Sequence, residues 1–173
     1  WIKMATLRKA KCYRKVVRAY TRKSKYKKKG FIKVVQDPKV TKFRMGELKK
    51  DFPKKVELVS RGRFQIRHNA LESCRQLINR HLTKKFGEKN YQFIINQYPH
   101  HILRENKMLT GAGSDRMQSG MSHSFGKSVG AAAQLKDGTV IFTVCVNEGK
   151  ELEVKKILEM TKARISGKVF VTI

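Results

Sequence analysis

No carboxylate precedes Asp37, whereas fourteen lysines and arginines do, from Lys3 through Lys33. A stretch so charged cannot join a core, because each buried cation without a counter-charge carries a heavy desolvation cost. Its like charges repel one another. From Lys3 to Lys29 no helical or alternating apolar period supplies a core face. Aromatics interleave with the cations instead, as in Cys12-Tyr13-Arg14, Ala19-Tyr20-Thr21-Arg22 and Lys25-Tyr26-Lys27. Lysine and arginine neutralise phosphates and release counterions, and tyrosine stacks on an unpaired base or lies along a groove. The mixture predicts an RNA-binding arm, extended or irregular when alone, rather than a lipid-binding segment.

The imbalance extends to the whole chain. Among 173 residues there are 40 Lys+Arg and 13 Asp+Glu, a formal charge of +27. Residues 1–55 hold 21 of the basic side chains and 3 of the acidic ones. Recognising a small acidic substrate does not need such an excess, so a large polyanion is the expected partner. The length suits one globular domain, expected over 56–173, behind a basic arm and irregular segment over 1–55.

The longest apolar stretches, Phe93 to Ile95 and Val140 to Val146, fall far short of the roughly 18 residues of a membrane span. No apolar run follows the first basic residues as a secretory signal would require. Three widely spaced cysteines, Cys12, Cys74 and Cys145, suit a reducing cytoplasm, with Cys74 and Cys145 expected to be buried thiols.

Asp37-Pro38-Lys39 reads as a turn, with an irregular stretch to Lys55. Val56 to Ser60 reads as a strand and Gly62 as a turn. In Asn69-Ala70-Leu71-Glu72 the spacing predicts a capping box with Asn69 as N-cap. Leu71, Cys74, Leu77, Ile78 and Leu82 recur at helical spacing, and Gly87 is the stop. Tyr91 to Gln97 and His101 to Glu105 read as strands parted by Pro99. Ala131 to Leu135, the Lys136-Asp137-Gly138 turn and Thr139 to Val146 read as a hairpin. A second helix is expected over Glu148 to Arg164, with Leu152, Ile157, Leu158 and Thr161 along one side, then a strand from Lys168 to Ile173. This order predicts an α+β two-layer sandwich, a mainly antiparallel sheet with two helices on one face.

Between these strands lies a long segment without core period, 108–127, expected to be an extended loop. Five of the chain's glycines, Gly111, Gly113, Gly120, Gly126 and Gly130, fall there or just beyond, with Met108, Met117 and Met121. Such a loop can reach roughly 30 Å from its root. Arg104, Lys107, Arg116 and Lys127 place cations at its base and tip, and Gly111, Gly113, Gly120 and Gly126 permit close backbone approach to phosphates.

Gly126-Lys127-Ser128 invites comparison with a nucleotide-binding P-loop, but five residues rather than four separate Gly120 from Gly126, and no clear apolar strand ends before Gly120. Gly111-Ala112-Gly113 has Arg116 where a dinucleotide fingerprint needs its third glycine. No Gly-x-Ser-x-Gly, Cys-x-x-Cys or His-Glu-x-x-His occurs. His100 and His101 are adjacent in a strand-like run, pointing to opposite faces, which does not favour a shared metal. No catalytic residue, metal or cofactor is expected, and the chain reads as a non-enzyme. The rivals are an RNA-modifying enzyme with a basic arm, which lacks a catalytic set, and a polybasic membrane binder, which lacks an amphipathic basic helix.

Arg104-Glu-Asn-Lys-Met-Leu-Thr-Gly-Ala-Gly-Ser-Asp-Arg-Met-Gln-Ser-Gly-Met121, with Ser124-Phe-Gly-Lys127, resembles the large-subunit ribosomal protein ten-e family of archaea and eukaryotes, counterpart of bacterial large-subunit protein sixteen. Cys12-Tyr13-Arg14, Asp37-Pro38-Lys39 and Ala70-Leu71-Glu72 give collinear support over nearly the whole chain. The resemblance implies an α/β-hammerhead-type sandwich, cytoplasmic and ribosome-bound, with large-subunit rRNA, tRNA in the ribosomal sites and neighbouring ribosomal proteins as partners. It implies neither a membrane nor a homo-oligomer. Its loop approaches the peptidyl transferase region; Arg104, Lys107, Arg116 and Lys127 become RNA-facing cations there. Arg8, Lys11, Arg14, Arg18 and Arg22 become arm anchors, with Lys23 and Lys25 beside them. Ser122, His123 and Ser128 depart from residues frequent in the family, as do Val34 and Gln36 ahead of Asp37-Pro38.

Overall fold

The computed structural model describes residues 8–15, 32, 37–106 and 126–173. Among the described residues, two antiparallel sheets and two α-helices make an α+β fold. Strands β1 (Arg44–Gly46), β2 (Lys54–Arg61), β4 (Tyr91–Ile95), β7 (Val140–Val146) and β8 (Lys168–Thr172) form one sheet in the order β1-β4-β7-β2-β8. Strands β3 (Phe64–Arg67), β5 (His101–Glu105) and β6 (Lys127–Leu135) form the other, in the order β3-β6-β5.

The apolar period of each element decides what it buries. In α1 (His68–Phe86), Leu71, Cys74, Ile78 and Leu82 are buried one turn apart. The helix ends at Gly87, whose φ of 76° favours glycine and whose N–H donates to the Thr83 carbonyl at 3.0 Å. In α2 (Glu151–Met160) the buried set is Val154, Ile157 and Leu158. Strand β4 alternates, burying Tyr91, Phe93 and Ile95. The central strand β7 buries every residue after Val140. Both helices share this core, α1 touching β3, β4 and β6 and α2 touching β2 and β8.

Four local expectations are corrected. Helix α1 starts directly from β3 at His68, with Arg67 rather than Asn69 at the N-cap and no side-chain cap bond. Already inside the helix, Asn69 has a buried Oδ1 without a partner. Leu152 is 68% exposed, and Val154 takes the buried place at the spacing that Ile157, Leu158 and Thr161 continue. The α-helix itself covers only Glu151–Met160, tightening into a 3-10 turn over Thr161–Arg164. The stretch expected to be irregular as far as Lys55 contains β1 and the start of β2.

The strands belong to two sheets rather than one, because the chain changes sheet at the Gly62 turn between β2 and β3. Strand β6 also begins earlier than expected, at Lys127, where it pairs with Glu105. Cys74 and Cys145 are buried free thiols, and Cys12 is exposed. Among the described residues no helix is long and apolar enough to cross a membrane.

Candidate nucleic-acid interface

The edge of the three-stranded sheet is where arm and body meet. Residues Ala10–Tyr13 form one 3-10 turn, beside which Arg14 offers its carbonyl to the Gln65 N–H at 3.1 Å. That bond satisfies a donor of edge strand β3. Arg67, the last residue of β3, donates from Nη1 to the Arg8 carbonyl at 2.9 Å and places its guanidinium 5.5 Å from the centre of the Tyr13 ring. Partial burial is the main cause raising the Tyr13 phenol above its ordinary pKa; Glu105 adds to the rise, and Arg8 and Arg67 oppose it.

Arg8 then reaches the far edge strand, its Nε donating to Glu105 Oε1 at 2.6 Å. This charge-assisted bond holds the Arg8 pKa above its ordinary value. The segment is thus fixed to the sheet by main-chain atoms and by Arg8 and Tyr13, while the side chains of Lys9, Lys11, Arg14 and Lys15 remain exposed.

Strands β5 and β6 carry the two ends of the long glycine-rich segment. Their ladder runs from His101↔Ala132 to Glu105↔Lys127, with an irregularity between Leu103 and Arg104. Lys127 is exposed and Arg104 half-buried. Gly126 has φ +131° and approaches the Glu105 backbone closely, so the nearest neighbour of its backbone is the chain itself.

His68 holds the segment leading out of the arm. Its Nδ1 accepts the Lys39 N–H at 2.8 Å, which makes Nε2 the protonated nitrogen of the neutral ring. Burial first, then Lys39 and Arg67, lower its pKa. Burial also lowers that of His101, followed by His100. His100 is exposed just before β5, with Nδ1 3.1 Å from the Tyr98 carbonyl. No group of three His, Cys, Asp or Glu able to hold a metal occurs among the described residues.

A recess of about 610 Å³ opens between β1, α1 and the start of β4. Lys42, Arg44, Arg75 and Lys89 line it together with Glu47 and Glu88, and Arg75 is already bound by Glu72 at 2.7 Å. Its mixed charge makes it the weaker place for a phosphate.

The structure therefore brings Arg8, Lys11 and Arg14 onto the three-stranded sheet that also carries Arg104, Gly126 and Lys127. Arg18, Arg22, Lys23, Lys25, Lys107, Gly111, Gly113, Arg116 and Gly120 lie outside the described residues. Sequence reasoning missed Glu105 and Arg67. The available signal was that Glu105 is the one carboxylate between Glu88 and Asp115, an outlier in a cationic neighbourhood.

The model of the family described as ribosomal protein L16p/L10e matches residues 21–172. The large ribosomal subunit protein uL16 of Methanococcus maripaludis is 44% identical over 160 residues, covering 92% of this chain and 89% of that protein. Its namesake from Methanococcus aeolicus is 42% identical over 168 residues, covering 96% and 94%. That of Sulfolobus acidocaldarius is 40% identical over 162 residues, covering 92% and 89%. With a match spanning arm, sheets and helices alike, the chain belongs to the ribosomal protein L16p/L10e family.

Proposed function

We propose that the chain is a structural constituent of the large ribosomal subunit, located with it in the cytoplasm, and that it works by positioning RNA rather than by catalysis. Its fold is then of the α/β-hammerhead type, with the globular part over 56–173 and the basic arm and its irregular continuation over 1–55. The observation that carries this reading is the cationic face itself: Lys11, Arg14 and Lys127 are exposed on or beside a single sheet whose two edges are joined by Arg8 and Glu105. Phosphates neutralise that face, and the counterions they release drive binding.

The arm, from Arg8 through Lys25, contacts large-subunit rRNA, and loop 108–127 extends toward the peptidyl transferase and tRNA-binding region, presenting Arg104, Lys107, Arg116 and Lys127. Gly111, Gly113, Gly120 and Gly126 give its backbone freedom to approach phosphates. Neighbouring ribosomal proteins complete the surroundings; a second copy of the chain and a membrane play no part.

Affinity for large-subunit rRNA is measured between about 50 and 200 mM salt, where a protein with six or more phosphate contacts loses roughly a thousandfold or more. A flat salt response rules the phosphate clamp out. Arg116→Ala with Lys127→Ala is expected to leave assembly into the subunit intact while impairing tRNA placement, read by peptide synthesis on reconstituted subunits. Unimpaired synthesis counts against the loop's role.

A further inference from the structure

Glu105 is out of place on a phosphate-binding face. The groups around it are cationic: Arg8 in contact, Arg104 beside it in sequence and Lys127 opposite it in the ladder, with Arg67 at the end of β3 holding the Arg8 carbonyl. By charge alone a carboxylate there repels RNA and weakens binding. It is nevertheless only 21% exposed, and its Oε1 lies 2.6 Å from Arg8 Nε.

We infer that Glu105 is a positioning residue for the RNA-binding arm: its carboxylate captures Arg8 and so fixes residues 8–14 along the β3 edge before RNA arrives. The inference rests on the RNA-binding reading above and adds to it a role for an acidic side chain. Three further contacts point the same way. Arg67 holds the Arg8 carbonyl, the Tyr13 ring lies under the Arg67 guanidinium, and the Arg14 carbonyl takes the Gln65 N–H. The segment is therefore fastened at both ends and in the middle, and Glu105 supplies the fastening that spans from one edge strand of the sheet to the other.

Ordering a flexible cationic segment costs conformational entropy whenever it happens. If the folded protein has already ordered it, RNA binding keeps that part of its free energy. Arg8 is half exposed even when paired, so it can contact a phosphate without leaving Glu105.

The two effects of Glu105 have opposite signs, which makes the test decisive. Glu105→Gln raises the net charge by one and, on charge alone, tightens RNA binding. The positioning role predicts weaker binding, by about threefold, the scale of a partly exposed ion pair. The exchanged pair Arg8→Glu with Glu105→Arg keeps the net charge and restores the ion pair; because Arg8 is itself a phosphate contact of the arm, this variant is read by the docking of the arm, not by RNA affinity. The probe is a large-subunit rRNA fragment at fixed salt, with each variant first checked for an unchanged thermal midpoint.

Amide exchange of Gln65 in the RNA-free protein gives an independent reading. Exchange is expected to accelerate in Glu105→Gln and to return to the wild-type rate in the exchanged pair. Binding by Glu105→Gln that is equal or tighter, or an unchanged Gln65 exchange rate, overturns the inference. A wild type that fails to bind the RNA defeats the proposed function instead, and the Gln65 exchange still decides whether Glu105 holds the arm.

Discussion

A methyl group placed on Gly126 would lie 2.8 Å from both the carbonyl carbon and the carbonyl oxygen of Glu105, and 2.9 Å from the Asn106 nitrogen. Two costs coincide there, since φ at Gly126 is +131°, where L side chains are rarely found, and the obstructing atoms are backbone. Gly126→Ala is expected to destabilise the protein by about 2 kcal/mol or more, the scale of a strained non-glycine residue. Urea unfolding measures this, and a midpoint equal to the wild type's contradicts the close approach at the root of β6.

Gly167 makes a different kind of contact. Its backbone conformation is ordinary, but an added Cβ would run into the ring of Phe64, which is only 3% exposed. Phe64 belongs to the same buried core as Ile66 and Leu135, so its ring has little room to yield. Gly167→Ala is therefore expected to cost about 1–3 kcal/mol as an overpacking change. Combining it with Phe64→Leu should recover part of that loss. A double variant whose loss is the simple sum of the two single ones argues against a direct clash.

The helices and most strands were legible because each repeats a period long enough to read. Leu71, Cys74, Ile78 and Leu82 return to one face of α1, and Tyr91, Phe93 and Ile95 alternate along β4. Three-residue β1 offers no period, and it exists because Arg44–Gly46 completes the ladder against β4. Lys127, Ser128 and Gly130 are poor strand formers, and this end of β6 is recruited by pairing with β5. Which strands share a sheet is a tertiary choice, so the change of sheet at Gly62 left no local mark. Asn69 satisfied the capping pattern, yet the helix springs straight from β3 and begins one residue before it.

The cationic residues of the site were legible as composition, whereas their arrangement was not. Arg8 looked like one phosphate contact among many, and only the folded sheet shows that it bridges to Glu105, 97 residues away. Arg67 was invisible for the same reason, since its partners Arg8 and Tyr13 come from the segment that sequence reading set apart from the body.

The three thiols should separate by reactivity. Burial pushes the Cys74 thiol up to about 12, with Arg164 opposing, and also raises that of Cys145. Cys12 is exposed in the docked arm segment. A thiol-specific chromogenic reagent at neutral pH is expected to modify Cys12 rapidly, and Cys74 and Cys145 only as the protein unfolds. Mass spectrometry of the early product identifies the site; prompt labelling of Cys74 means that α1 does not pack as described.

Acid should loosen the contact between the arm's continuation and α1. His68 is the first residue of the helix, where the dipole disfavours a positive charge, and its Nδ1 is already accepting the Lys39 N–H. Its pKa in the folded state lies below the ordinary 6.5, through burial first and then Lys39 and Arg67. Below about pH 6.5 the unfolded chain therefore binds more protons at this site than the folded one, and stability must fall as acid is added. The contribution is complete above that pH and is lost as pH drops through the depressed folded value. His101 titrates in the same direction, so the slope has two sources. Between pH 7.5 and 5.5 the wild-type urea midpoint is expected to decline, and His68→Asn, which keeps an acceptor for Lys39 but cannot be protonated, to decline less. Parallel declines in the two proteins would mean that His68 is equally free to take a proton in the folded and unfolded states, contrary to its place under Lys39.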